Sequence, residues 1–186
     1  MKKRVLVFVK PDGVKRKLVG KVISRFEEAG LKIVAIKMAK ASRKLAEKQY
    51  PKTEEQIVGM GNKPLRAALE RGETVREVEK IFGTKDPRKI GLILRKWLIE
   101  FLISSPVVVM VLEGENAVEN ARKIVGYTDP ERAERGTIRG DFGQDSLYNA
   151  NKERRTTRNI VHVSGSDKEA EREIKLWFKK KEFFDY

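Results

Sequence analysis

Two uninterrupted apolar runs, Val5-Leu6-Val7-Phe8-Val9 and Val107-Val108-Val109-Met110-Val111-Leu112, constrain this chain more than any other feature. Neither alternates with polar residues and both are rich in β-branched side chains, so each reads as a strand buried in a core. The first run is too short for the central region of a signal peptide, and no apolar stretch reaches the length of a bilayer-crossing helix. The expected location is therefore cytoplasmic, with no membrane partner. With 40% hydrophobic residues over 186 positions, the chain reads as one domain, 1-186.

The remaining elements follow from periodicity. Val19, Val22, Ile23 and Phe26 recur on one helical face, Gly30 ends that helix, and Leu31 to Met38 reads as a strand. Ser42 opens a short helix reaching Tyr50, and Pro51 breaks it. Lys52 to Lys89 is charged, with short helical patterns only. Ile90, Ile93, Leu94, Trp97, Leu98 and Phe101 form a helical stripe that Pro106 terminates. Val118, Ala121 and Val125 mark a helix closed by Gly126. Residues 127 to 158 read as a long functional loop with at most short helical turns. Asn159 to Val163 is the last strand. Ser166-Asp167-Lys168-Glu169 fits a capping box, and Ala170, Ile174, Trp177 and Phe178 point inward from the helix it opens. This order predicts an α+β fold, the ferredoxin-like βαββαβ arrangement, with a four-stranded antiparallel sheet covered by helices. A doubly wound parallel sheet is the rival, and neither GxGxxG nor GxxxxGK[ST] follows the first strand to support it.

Chemistry is limited by what the chain lacks. It has no cysteine and one histidine, which leaves no thiolate nucleophile and argues against a protein-built transition-metal site. Its 41 Lys and Arg against 27 Asp and Glu give a net charge of +14, a field that attracts polyanions. The lone imidazole, His162, ends an apolar run and is followed by Val163-Ser164-Gly165-Ser166-Asp167. Such a residue is either a polar group at a surface or a neutral nucleophile or base near pH 7. Glu173 falls at the edge of the buried stripe of the following helix, where a carboxylate could fix the ring's tautomer with Ser164 close by; taken alone it reads as a solvated residue. Gly136-Thr137-Ile138-Arg139-Gly140-Asp141-Phe142 sets a phosphate-binding side chain between glycines. Lys10 precedes Pro11-Asp12-Gly13, a turn signal at the end of the first strand.

Together with Pro106 to Gly114, Asn116-Ala117-Val118, Arg158-Asn159-Ile160-Val161-His162 and Glu171 to Phe178, these blocks resemble the nucleoside diphosphate kinase family, in order and over most of the chain. The resemblance implies transfer of the terminal phosphoryl group from a nucleoside triphosphate to a nucleoside diphosphate, by a ping-pong route through a phosphohistidine, with Mg²⁺ carried on the nucleotide phosphates and no metal held by the protein. It implies His162 as nucleophile, Ser164 and Glu173 as the residues that position it, and Tyr50 near the transferred phosphate. It implies Lys10, Arg122, Thr128, Arg139 and Asn159 as holders of phosphates or sugar. It also implies a homo-oligomer, hexamer or tetramer.

Some segments depart from the family pattern. Lys52 to Lys89 and Gln144 to Thr157 look like insertions, and both resemble a longer-looped archaeal branch. Counting back from Pro106 puts Leu94 where the family has an aromatic that stacks on the base, although Leu94 also fits the core stripe of its helix. Arg135 replaces a proline common in the family. The competing reading is a nucleic-acid-binding module, since a basic ferredoxin-like sheet suits RNA. That reading needs exposed aromatics on the central strands, where only Phe8 occurs, so no specific nucleic acid is expected.

Overall fold

The computed structural model describes residues 2–186. Its sheet contains β1 (Lys2–Val9), β2 (Lys32–Ala39), β3 (Val107–Glu115) and β4 (Val161–Val163), in the order β2-β3-β1-β4 with every neighbouring pair antiparallel. That is the expected ferredoxin-like order. The helices are α1 (Pro11–Lys15), α2 (Val19–Glu28), α3 (Arg43–Gln49), α4 (Glu54–Glu70), α5 (Val75–Phe82), α6 (Pro87–Ser104), α7 (Ala117–Val125), α8 (Ile138–Phe142), α9 (Leu147–Lys152) and α10 (Asp167–Trp177). Among the described residues, no helix is long and apolar enough to cross a membrane.

The two apolar runs are adjacent strands, and their side chains divide between two cores. Val5, Val7, Val9, Val108, Met110 and Leu112 pack on the face covered by α2 and α7. Leu6, Phe8, Val107, Val109 and Val111 pack on the other face, under Ile99 and Leu102 of α6 and Trp177 of α10. Burial on both faces is the reason these strands need no polar alternation. It also closes the face that an RNA-binding sheet would leave open, because Phe8 is fully buried.

A third core accounts for the segment from 52 to 89. Val78 and Phe82 of α5 and Ala68 of α4 pack with Ile90, and Ile93, Leu94 and Trp97 lie against them. The apolar stripe of α6 therefore serves these helices, while the sheet takes its Ile99 and Leu102. The crossing of α4 and α6 is close. A Cβ on Gly61 would lie 1.7 Å from the Pro87 carbonyl oxygen, and one on Gly91 would lie 1.9 Å from that of Ile57. Glycine is the residue that lets two backbones approach to this distance.

Several boundaries differ from the sequence reading. Pro11-Asp12-Gly13 forms the first turn of α1 rather than a free turn, with Pro11 in the first helical position, where its missing N–H costs no hydrogen bond. The last strand starts at Val161, because Ile160 has φ of +71°, outside the extended region. Ser166 caps α10 by accepting from the Glu169 N–H, but the Glu169 carboxylate accepts from Gly165 N–H instead of closing the box on Ser166.

Candidate active site

His162 stands opposite Phe8 in the β1–β4 pair, and its ring stacks on the phenyl ring with centroids 4.5 Å apart. Its Nε2 lies 3.0 Å from Oε2 and 3.2 Å from Oε1 of Glu173, so the protonated nitrogen is the one that faces the carboxylate. Among the described residues none bonds to Nδ1. Glu173 is fully buried, not at a solvated edge of its helix, because its oxygens are held on all sides. Ser164 Oγ donates to Oε2 at 2.7 Å, Gln49 Nε2 donates to Oε1, and Arg172 lies 3.4 Å away. Burial pushes this carboxyl up, but His162, its hydrogen bond, Ser164 and Arg172 outweigh that and hold it below the usual carboxylate range.

Gln49 was not singled out in the sequence, where a glutamine on a short helix gives no signal. Its amide is buried, donates to Glu173, and accepts from the Trp177 indole N–H at 2.7 Å, tying α3 to α10 behind the imidazole. Tyr50, the next residue, sets its ring edge-on to His162 with centroids 6.5 Å apart. Burial first, and Glu173 second, raise its phenol above the ordinary value, so it stays protonated.

In front of His162 opens a cavity of about 630 Å³. Lys10, Arg122, Thr128, Arg139, Asn159, Tyr50 and Leu94 all line it, whereas Ser164 and Glu173 stand behind the ring. Lys10 donates to Asn159 Oδ1 at 2.6 Å, and Asn159 Nδ2 donates to the Thr128 carbonyl at 2.7 Å. Arg139 spends its guanidinium on three backbone carbonyls, Asn159 at 3.2 Å, Gly126 at 2.9 Å and Val161 at 2.8 Å. Neither cation has a carboxylate within ion-pair distance among the described residues. Burial, then Arg139, lowers the Lys10 ammonium to about 7, with Asp12 opposing; burial, then Arg122, lowers Arg139 to about 10. Such a pair, stripped of water and of counter-ions, is matched to a dense negative charge.

The backbone beneath is strained. Ile160, β-branched and fully buried, holds its positive φ because Asp12 accepts its N–H at 3.0 Å and the Lys10 N–H donates to its carbonyl at 2.7 Å. Residues outside regular φ/ψ regions at a cost of about 1–3 kcal/mol persist where surrounding contacts over-determine them.

A family model described as nucleoside diphosphate kinase matches residues 3–92 and 94–183. The chain belongs to the nucleoside diphosphate kinase family. Among its relatives, the nucleoside diphosphate kinase of Pyrobaculum aerophilum is 50% identical over 182 residues, covering 98% of each chain. That of Methanocaldococcus jannaschii is 42% identical over 185 residues, covering 100% of this chain and 99% of the relative. In solved structures, an NDP kinase from Pyrobaculum aerophilum superposes with a TM-score of 0.92 at 46% identity over the full length of both chains. The Borrelia burgdorferi nucleoside-diphosphate kinase, a transition state mimic with bound vanadate and ADP, superposes with a TM-score of 0.76 at 34% identity, over 100% of this chain and 92% of that one.

In this nucleoside diphosphate kinase family member the cavity has walls that lie outside the shared motifs. Gln56, Met60 and Lys63 of α4 form one side, and Asn151, Arg155 and Thr156 another. Lys63 is one of 41 basic residues, and nothing in its sequence neighbours distinguishes it. Leu94, offered as the substitute for a base-stacking aromatic, borders the cavity and also packs in the third core.

Proposed function

We propose that this chain transfers the terminal phosphoryl group of a nucleoside triphosphate to Nδ1 of His162 and then to a nucleoside diphosphate, keeping nucleoside triphosphate pools in balance. In the first half, the Nδ1–P bond forms as the bond from the terminal phosphorus to its bridging oxygen breaks, and the diphosphate leaves. In the second half the same steps run in reverse with another diphosphate, so donor and acceptor use one site in turn.

The observation that supports this most is the pairing of Nε2 with a buried carboxylate, which leaves Nδ1 as the free lone pair at a cation-lined cavity. As Nδ1 attacks, positive charge grows on the ring and Glu173 stabilises it. Phosphoryl transfer asks mainly for positioning and charge neutralisation. Lys10, Arg122 and Arg139 supply the charge, Tyr50 offers a phenolic proton, and Thr128 and Asn159 hold phosphate or sugar. Mg²⁺ comes with the nucleotide as part of the substrate, held by phosphate oxygens. Glu169 is the one carboxylate among the described residues lining the cavity, which suits a metal that arrives already ligated.

The decisive experiment is incubation with γ-labelled ATP and Mg²⁺. The label should enter an acid-labile, base-stable linkage, ADP should discharge it, and His162→Ala should abolish it. Equal labelling of the alanine variant would overturn the assignment. We also infer a homo-oligomer: the family resemblance implies a hexamer or tetramer, and Ile36 and Met38, exposed on the edge strand β2, offer an apolar surface that a second copy can cover.

A further inference from the structure

We propose that Lys63, carried on α4, is a phosphate-binding residue of this site, a further cation on the nucleotide's polyphosphate chain beside Lys10, Arg122 and Arg139. The inference rests on the phosphotransfer reading above and extends it to a helix in the segment that read as an insertion.

Placement carries the argument. Gln56, Met60 and Lys63 are spaced at i, i+4 and i+7, so they share one face of α4, and all three line the cavity in front of His162. The other face is fixed by Ile57, Gly61 and Ala68, which are buried, and by the Gly61–Gly91 crossing with α6. A helix seated this closely cannot rotate without driving backbone into backbone, so the direction of Lys63 is set by packing.

Electrostatics agrees with placement. Among the described residues, Lys63 has neither an ion pair nor a hydrogen bond, so its ammonium is uncommitted where it lines the cavity. Lys63 is exposed at the rim of the cavity; partial desolvation there, then Arg139 and Arg122, holds its ammonium below the usual value, with Glu169 opposing. A lysine placed for stability would sit among carboxylates; this one sits beside cations, an arrangement that an anion between them turns from repulsive to favourable. The same face presents Gln56, whose Oε1 is buried without a hydrogen-bond partner among the described residues, a second polar group that awaits a ligand donor.

The test is steady-state kinetics of Lys63→Met, which keeps the length and removes the charge, with Lys63→Arg and Arg66→Met as companions; Arg66 is exposed on α4 and does not line the cavity. Loss of one charge-assisted phosphate contact should lower kcat/KM for both triphosphate and diphosphate about 10- to 100-fold. KM should carry most of that loss, and kcat/KM should become less dependent on salt. Lys63→Arg should recover most of the activity, and Arg66→Met should match the parent. Parent-like kinetics of Lys63→Met, or an equal loss in Arg66→Met, would overturn the proposal. Failure of the parent protein to label His162 would instead strike the phosphotransfer reading, so the two failures are separable.

Discussion

Phe8 and His162 are register partners across β1 and β4, their rings 4.5 Å apart and 19° from parallel. The buried strand thus supplies the plate on which the imidazole rests, and Trp177 lies 5.7 Å from the same phenyl ring. Phe8→Leu keeps the core filled and removes the plate. It should lower kcat severalfold with little change in KM, and cost about 0.5–1.5 kcal/mol of stability. Kinetics and thermal unfolding together test this; an unchanged kcat would show that the stack does not orient the ring.

Glu173→Gln preserves shape and removes the charge that faces Nε2. A charge-assisted hydrogen bond contributes about 1.5–3 kcal/mol, so phosphorylation of His162 should slow roughly 10- to 100-fold in single-turnover labelling. The carboxyl is held below its usual value when folded. Its contribution to stability is therefore present above about pH 4.5 and lost as pH falls through the folded value. The glutamine variant should lose this part of the acid dependence, as read by unfolding midpoints between pH 3 and 6.

Lys10 loses its proton near pH 7 in the empty site. Its unfolded counterpart stays protonated to about 10.4, so this residue makes the empty protein more stable as pH rises between those values. Phosphates restore the charged form, and nucleotide binding at pH 8 should take up a proton. Calorimetry in two buffers of different ionisation enthalpy measures that uptake. It should vanish in Lys10→Arg, whose side chain is charged throughout; undiminished uptake in that variant would assign the proton elsewhere.

Gly61→Ala inserts a methyl group 1.7 Å from the Pro87 carbonyl oxygen. Overpacking of this kind costs about 1–3 kcal/mol, and each kcal/mol lowers the melting temperature by about 2–4 °C in a chain of this size. Nucleotide KM should rise with it, because α4 must move. Gly20→Ala, with open space around the new methyl, should be neutral or slightly stabilising. Equal melting temperatures for the two variants would contradict the close crossing.

The sheet was readable because its central strands are apolar on both faces, and a run such as Val107 to Leu112 has few other solutions. The helices flanking it carried their own periods. α4 was harder to read, since Gly59, Gly61 and Pro64 look like helix breakers and only the crossing with α6 explains one of them. In the site, His162, Lys10 and Arg139 stood out through singularity or motif. Glu173 is legible as a partner of His162 at the edge of the buried stripe, but taken alone it reads as solvated, because nothing local shows that Ser164, Gln49 and Arg172 converge on it. Gln49 and Lys63 left no sequence trace: the first matters through partners more than a hundred residues away, the second through a helix orientation set by glycines.

Lys10 and Arg139 are held by a side-chain amide and backbone carbonyls rather than by acids. Folding thus gathers basic groups with no acid in ion-pair contact and only Asp12 to oppose their mutual repulsion, and the missing half of the arrangement is brought by the substrate. The nucleotide is then a structural component on loan: a protein standing idle in a nucleotide-poor solution is the form most ready to unravel, and supply of the substrate sets how long the molecule lasts as well as how fast it works.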